Sequence, residues 1–417
     1  MRYSGITLAM NALSGNRRWP PIVAPVSPRP SYDIVIIGGG GHGLATAHYL
    51  VANHGICNVA VLEAGWIGGG NTARNTTIVR SDYLLPASFA LKNFALKLWA
   101  DLAQDLNFNL MYSPRGYVDL AHSDGELEHF TLRANAMRLG GADATVLTPG
   151  ALAERVPGLN LGASGRYPIA GALLQEAGGV VRHDAVAWGF ARKVAAAGVH
   201  VIQNCPVTGF DIQGGRLTGV RTPLGDIACG QAMVSVAGQS ARVAGLAGLE
   251  LPLLPINVQA CVTEPVKPAL DCVVNYNAGL CYVSQTAKGE FVLGGATDGY
   301  VSQARRGSFA RLEDVLARAV QIFPYLSRLR LMRHWSGTAD IPMDGNAIMG
   351  LAPIEGLLIN AGWGYAGFKA TPAVGWAMAE HLATGHLPDL VAPFALDRFA
   401  TGALIDDAGI GPYPWLH

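Results

Sequence analysis

The segment Ser31-Tyr-Asp-Ile-Val-Ile-Ile-Gly-Gly-Gly-Gly-His-Gly-Leu-Ala-Thr-Ala-His-Tyr-Leu50 constrains the fold more than any other stretch of the chain. Residues 33–37 read as a short buried strand, and residues 44–50 as a helix of apolar and small side chains. Between them lies Gly38-x-Gly40-x-x-Gly43, with Gly41 and His42 inside it. In such a turn the first glycine permits the reversal, the second lets a pyrophosphate approach the backbone, and the third lets helix and strand pack closely. The helix N-terminus offers free N–H groups and the positive end of its dipole to phosphates. A second strand, residues 58–62, ends at Glu63, 20 residues after Gly43. A carboxylate there is placed to accept hydrogen bonds from the adenosine ribose hydroxyls. A lone glycine triplet would say little, but strand, turn, helix, strand and acid in this register specify a dinucleotide site.

The fingerprint alone fits NAD as well as FAD. The residues after Glu63 separate the two. Residues 64–80 form a second glycine-rich loop, with Asn71, Thr72, Arg74, Thr76 and Arg80 among small residues. An NAD dehydrogenase usually proceeds directly to its next strand–helix unit. A flavoprotein needs further donors along its pyrophosphate and isoalloxazine, and this loop supplies them. FAD is the better fit.

Other features bound the answer. A chain of 417 residues suggests two domains. Half of its residues are hydrophobic and 14% charged, so there is ample apolar surface to bury, some of it against partner subunits. Thirty basic and thirty acidic residues balance, which argues against nucleic acid or an acidic membrane surface as the main target. No run is long and apolar enough to predict a spanning helix. Residues 6–13 are too short an apolar stretch for a secretory signal. Residues 1–30, Pro-rich at their end, read as an arm lying over the protein or a partner. The six cysteines, at 57, 205, 229, 261, 272 and 281, form no Cys-x-x-Cys pair, and most sit in apolar segments. They read as buried reduced thiols in a cytoplasmic setting, with no metal site.

Several longer words resemble one family. They are residues 38–47, residues 68–81, Arg182-His-Asp-Ala-Val-Ala-Trp-Gly-Phe-Ala-Arg192, and Gly367-Phe-Lys-Ala-Thr-Pro372. Residues 2–5 and 402–406 match as well. Together they are similar, essentially end to end, to the beta subunits of heterotetrameric sarcosine oxidase, within the flavin-dependent amine and amino-acid oxidases. The resemblance implies an α/β chain: a Rossmann-like FAD-binding domain and a discontinuous α+β substrate domain built on an antiparallel sheet. The FAD domain would comprise residues 31–111, 173–240 and 340–384, and the substrate domain residues 112–172 and 241–339. Residues 385–417 would form a C-terminal segment. Val207, Gly238, Gly362, Gly364 and Gly367 join the expected cofactor contacts. Alternation at 280–284 and 290–294 predicts strands, and Gly214-Gly215 a hairpin-like turn.

Oxidising an amine on FAD moves a hydride equivalent from the carbon beside nitrogen, and the protein contributes orientation, electrostatics and exclusion of water. The simplest handle on a small amino acid is its carboxylate. Arg80 and Lys369 are the candidate cations, a planar fork and a point charge. Both match positions that bind substrate carboxylate in the resembling family, and with Tyr365 they form the expected catalytic set. The alternative roles are a pyrophosphate contact for Arg80 and a helix cap for Lys369.

The resemblance further implies that His183 carries a second flavin, FMN, as a covalent adduct, with Arg182 holding its phosphate or the charge of its reduced ring. FAD would stay noncovalent, because single-chain relatives tether it through a cysteine in their C-terminal third and none follows Cys281 here. Electrons would pass from sarcosine through FAD and FMN to O2. The products would be glycine, peroxide and a one-carbon unit, as formaldehyde or as methylene-tetrahydrofolate. The expected partners are alpha, gamma and delta subunits, the alpha subunit bringing NAD and a folate module. Residues 1–30 and 411–417 are plausible docking segments. Tyr365, Ala366, Ala347 and Asn257 stand where the family usually has threonine, glycine, proline and histidine. They leave open a dehydrogenase subunit for proline, dimethylglycine or an opine. A non-catalytic flavin-binding assembly subunit is the remaining alternative.

Overall fold

The computed structural model describes residues 4–15, 17, 21–162 and 167–405. Residues 2 and 3 of the opening word, residue 406 and the segment 411–417 lie outside the described residues.

The apolar strand Ile34–Ile37 is buried along its whole length and sits near the middle of a six-stranded sheet. Across that sheet the order is Ile348–Leu351, Leu357–Ala361, Gln231–Val234, Ile34–Ile37, Val59–Leu62 and His200–Ile202. All neighbours pair in parallel except the first two. Uninterrupted apolar strands of this kind are stable only where both faces are covered. One face carries the helices Gly41–His54, Pro86–Asp105, His183–Ala196 and Gly367–Thr384 over a core that includes Leu44, Trp99, Phe190 and Met378. The other carries the antiparallel ribbon of Gly209–Gln213, Arg216–Arg221 and Ile227–Ala228, with the expected turn at Gly214-Gly215.

A second, eight-stranded sheet runs in the order Leu331–Pro342, Leu253–Pro265, Glu290–Val301, Cys281–Gln285, Val273–Tyr276, Tyr117–Ala121, Gly171–Gln175 and Thr145–Leu147. It is antiparallel apart from the pairing of Val273–Tyr276 with Tyr117–Ala121. The helix Phe309–Ile322 packs on it through Val315, Ala319 and Ile322. Two of its strands run past the boundaries expected from sequence. Gly171–Gln175 continues beyond 172 because Gln175 pairs with Tyr117, and Leu331–Pro342 continues beyond 339 because Pro342 pairs with Leu253.

The two sheets are sutured by a short ladder, Ile78–Val79 against Gly179–Val180, and by Gln175, whose amide both accepts from Ser81 N–H (2.8 Å) and donates to Ser81 Oγ (2.7 Å). Arg80 therefore emerges at the seam between the sheets. All six cysteines are free thiols and all but Cys57 are buried. No helix among the described residues is long and apolar enough to cross a membrane.

Candidate active site

A cavity of about 750 Å³ opens between the sheets and is lined from both. Its nucleotide end is the turn after Ile34–Ile37. Gly38 has φ +117° there, and a Cβ on it would lie 2.2 Å from the Ser235 carbonyl oxygen. A Cβ on Gly43 would lie 2.1 Å from the Gly38 oxygen, so the helix can start this close to the strand only without side chains. Glu63, at the end of the second strand, accepts from the N–H groups of Gly39 and Gly65, each at 2.8 Å. A carboxylate has about four acceptor positions, so it retains capacity for ribose hydroxyls.

The second glycine-rich loop closes over this turn. Gly68 N–H donates to the Gly39 carbonyl (2.9 Å), and Gly41 N–H donates to Thr72 Oγ1 (3.0 Å). The loop is also tied to the far sheet, by Asn71 Nδ2 donating to the Thr338 carbonyl (2.6 Å) and Trp335 Nε1 to the Arg74 carbonyl (2.8 Å). Arg74 braces its own loop through the carbonyls of Gly69 and Gly70.

His42 anchors a wider network. Its Nε2–H donates to the Gly367 carbonyl (2.8 Å), while its Nδ1 accepts from Asn360 Nδ2 (3.2 Å). Burial brings its pKa down to about 4, so the ring is neutral and this pair of contacts selects the Nε2–H tautomer. Asn360 also donates to Ser235 Oγ (3.0 Å) and accepts from Trp363 Nε1 (2.6 Å), joining three separate stretches of chain at the cavity floor.

At the other end Arg80 and Lys369 converge. Burial opposes charge on Arg80, but the adjacent Asp82 and the bond between them hold the guanidinium protonated. Its Cζ lies 5.0 Å from the Tyr83 ring and 4.9 Å from the Tyr117 ring. Asp82 in turn faces Arg133, which also bonds Asp119 at 3.2 Å. Lys369, only 6% exposed, belongs to the first turn of Gly367–Thr384, and its Nζ donates to Tyr83 Oη (3.3 Å) and the Tyr365 carbonyl (3.4 Å). Tyr365 itself is 51% exposed at the cavity rim.

The residues singled out from sequence divide accordingly. Gly38, Gly40, Gly41, His42 and Glu63 line the cavity, as do Asn71, Thr72, Arg74 and Thr76. So do Arg80, Val207, Gly364, Tyr365, Gly367 and Lys369. Gly43, Gly238, Gly362, Arg182 and His183 do not. Gly43 and Gly238 are packing positions; a Cβ on Gly238 would lie 2.5 Å from the Thr338 oxygen. His183 starts the helix His183–Ala196 without lining the cavity, and the Arg182 guanidinium is engaged by Asp184 at 2.5 and 2.6 Å. Asn257, fully buried, donates to the Ala304 carbonyl (2.7 Å) and Ser336 Oγ (3.2 Å).

Sequence reasoning passed over Asp82, Tyr83, Tyr117, Asp340 and Asn360. An acid two residues beyond Arg80 was the available signal for Asp82, whereas Asp340 carries no local one.

Asp340, 4% exposed, accepts from Gly362 N–H at 2.7 Å and positions the Gly362–Gly364 turn. Burial pushes its carboxyl up to about 6, against the hydrogen bonds from Gly362, Ser240 and Trp363. The folded protein thus binds this proton more tightly than the unfolded chain, where an aspartate titrates near about 4. Its contribution to stability is lost as pH rises from about 4 to about 6. Asp340→Asn keeps an acceptor without the charge. Urea unfolding of the two proteins across that window should show the variant gaining relative to the wild type as pH rises, and a constant difference would contradict this assignment.

The cradle of glycine backbone, helix N-terminus and ribose-facing carboxylate suits an adenine dinucleotide, and the cavity beyond it has room for a flavin ring. The sequence profile of the family described as FAD dependent oxidoreductase matches residues 33–381. The chain belongs to that family. Among its relatives, the sarcosine oxidase subunit beta of Rhizobium meliloti is 50% identical over 417 residues, covering all of both chains. That of Rhodobacter capsulatus is 46% identical over 98% of each. Among solved structures, L-proline dehydrogenase from P. horikoshii superposes with a TM-score of 0.84 at 27% identity, over 91% of this chain and 100% of the other. FAD is accordingly the cofactor of this family cradle, and the chain is a flavin-dependent amine oxidoreductase.

Proposed function

We propose that this chain is the catalytic beta subunit of a sarcosine oxidase, oxidising the small secondary amino acid at the Arg80–Lys369 end of its cavity. The observation that carries the reading is the convergence of those two buried basic side chains in the cavity of a chain 50% identical to a sarcosine oxidase beta subunit. FAD, when bound, accepts the hydride equivalent that leaves the carbon beside nitrogen. Arg80 grips the substrate carboxylate with two parallel hydrogen bonds, and Asp82 keeps the guanidinium charged and oriented. Tyr117 and Tyr365 wall the substrate from bulk water. Cys281 lines the cavity, and burial pushes its thiol up to about 12, which disfavours the thiolate a tether would need. FAD is held noncovalently.

His183 is read as the attachment point of a second flavin, FMN. Its Nδ1 is buried without a hydrogen-bond partner, and burial favours the neutral, nucleophilic imidazole. His183 does not line the FAD cavity, so in this reading the second flavin lies outside it, against a partner subunit. The helix Gly5–Leu13, which buries no residue and exposes Ile6, Leu8, Met10 and Leu13, fits docking in the same assembly of alpha, beta, gamma and delta subunits.

Two measurements test the reading. Anaerobic sarcosine should bleach the flavin absorbance of the co-expressed assembly, and failure to bleach would remove the catalytic assignment. Acid precipitation should leave flavin in the pellet, mapping by peptide mass to His183, with free FAD in the supernatant. His183→Ala should release all flavin, and flavin retained in that variant would overturn the attachment. The likeness to L-proline dehydrogenase favours one other reading, a carrier-linked dehydrogenase, and the yield of peroxide per sarcosine distinguishes it.

A further inference from the structure

The catalytic end of the cavity gathers three basic side chains around one phenol. The Tyr83 ring centroid lies 5.0 Å from Arg80 Cζ, 4.7 Å from Lys92 Nζ and 5.8 Å from Lys369 Nζ. The nearby carboxylate, Asp82, is committed to Arg80 and faces Arg133 at 3.6 Å. No ion pair reaches Lys369 among the described residues. Its two hydrogen bonds, to Tyr83 Oη and the Tyr365 carbonyl, occupy two of the three positions around its nitrogen. The third is left for a ligand in the cavity that Lys369 lines.

Every element packed here acts on that amine. Burial disfavours its cation first, then Arg80 from the glycine-rich loop and Lys92 from Pro86–Asp105, whereas Asp82 favours it; the balance holds Lys369 well below the usual lysine range. Tyr117 stays a neutral phenol because burial raises it, and Asp119 stands behind Arg133 with its carboxyl raised by burial and by Asp82.

An amino acid arrives as a zwitterion, and a carbon beside an ammonium cannot release hydride because the nitrogen has no lone pair to stabilise the developing cation. We propose that Lys369 stands as a neutral amine in the free, FAD-loaded protein and takes the ammonium proton of the incoming amino acid as its carboxylate docks on Arg80. The N–H bond of the substrate ammonium breaks, with its electron pair remaining on the substrate nitrogen, and a new N–H bond forms from the lone pair of Lys369 Nζ. No electron is transferred in this step. It leaves a reactive free amine and, beside the substrate carboxylate, a newly charged lysine. Binding and activation of the substrate are thus one event. The inference rests on the reading that an amino acid is oxidised at this site.

Calorimetry on the FAD-loaded assembly tests it, with methoxyacetate as a probe that has the carboxylate but no titratable nitrogen. Bound at about pH 7.5 in two buffers of different ionisation heat, methoxyacetate should draw about one proton per site from the buffer, since the lysine has no other source. Lys369→Met should draw none. In wild type, 2-aminoisobutyrate, which brings its own proton and has no hydrogen on the carbon bearing nitrogen, should also draw none. In Lys369→Arg the fixed cation cannot accept a proton, so only the minor amine form of sarcosine reacts. Its kcat/KM should fall roughly tenfold per unit of pH below the substrate's amine pKa while the wild-type value stays level. Parallel pH profiles, or methoxyacetate binding with equal heats in both buffers, would overturn the inference while sarcosine still bleaches the flavin. A wild type that sarcosine does not bleach overturns instead the reading on which it rests.

Discussion

Arg80→Met is expected to lower kcat/KM for sarcosine by roughly 10²- to 10³-fold, the equivalent of about 3–4 kcal/mol for a desolvated charge pair losing one member. The guanidinium is held between the Tyr83 and Tyr117 rings and bonded to Asp82, so its fork is fixed before substrate arrives. Arg80→Lys retains charge but not the fork, and should recover only part of the loss. Removing Arg80 also leaves Asp82, 2% exposed, with Arg133 as its remaining cation, so the variant should be less stable as well. Pairing Arg80→Met with Asp82→Asn separates the two effects. The double variant should regain stability in urea unfolding without regaining turnover. Recovery of turnover would show that Arg80 serves the scaffold and not the substrate.

The largest effect on stability is expected at Arg398, far from the chemistry. Its guanidinium, 2% exposed, donates to both carboxylate oxygens of Asp344 at 2.7 and 2.9 Å, to the carbonyls of Phe394 and Ala395, and to that of Asn346 at 2.6 Å. Asp344 also accepts from Ile405 N–H at 3.1 Å. These bonds clamp the end of the described chain onto the turn before Ile348–Leu351, at the edge of the nucleotide-binding sheet. Arg398→Met strands a buried carboxylate and should cost roughly 3–5 kcal/mol, read as a lowered urea midpoint of the FAD-free protein. Adding Asp344→Leu removes the orphaned charge and should restore part of the loss. An unchanged midpoint in the single variant would mean that solvent reaches the pair.

Much of the nucleotide half was legible in the sequence because its determinants are local. Strand, glycine turn, helix and acid fall within residues 33–63, and each constrains its neighbour. The glycine-rich loop could be read as cofactor-facing from its small residues and arginines, and the cavity does lie along it. Its attachments could not be read. Thr338, Trp335, Asn360 and Gly367 meet residues 41–74 only through the fold, across separations of up to 325 residues. Tyr83 and Lys92 were invisible for another reason. An aromatic ring among cations has no sequence period, and Lys92 sits on a helix face that otherwise reads as core. His183 and Arg182 stood out as a word for a second flavin; they do not line the FAD cavity, and Arg182 is engaged by Asp184.

The way the glycine-rich loop is fastened governs the order of maturation. The fingerprint at residues 38–43 leaves the ribosome well before the groups that fix its partner loop and its histidine, at positions 335, 338, 360 and 367. A nascent chain can display the motif long before it can grip a nucleotide. The contacts that hold the fingerprint and its loop are therefore complete only once residue 367 is made, after every strand of both sheets.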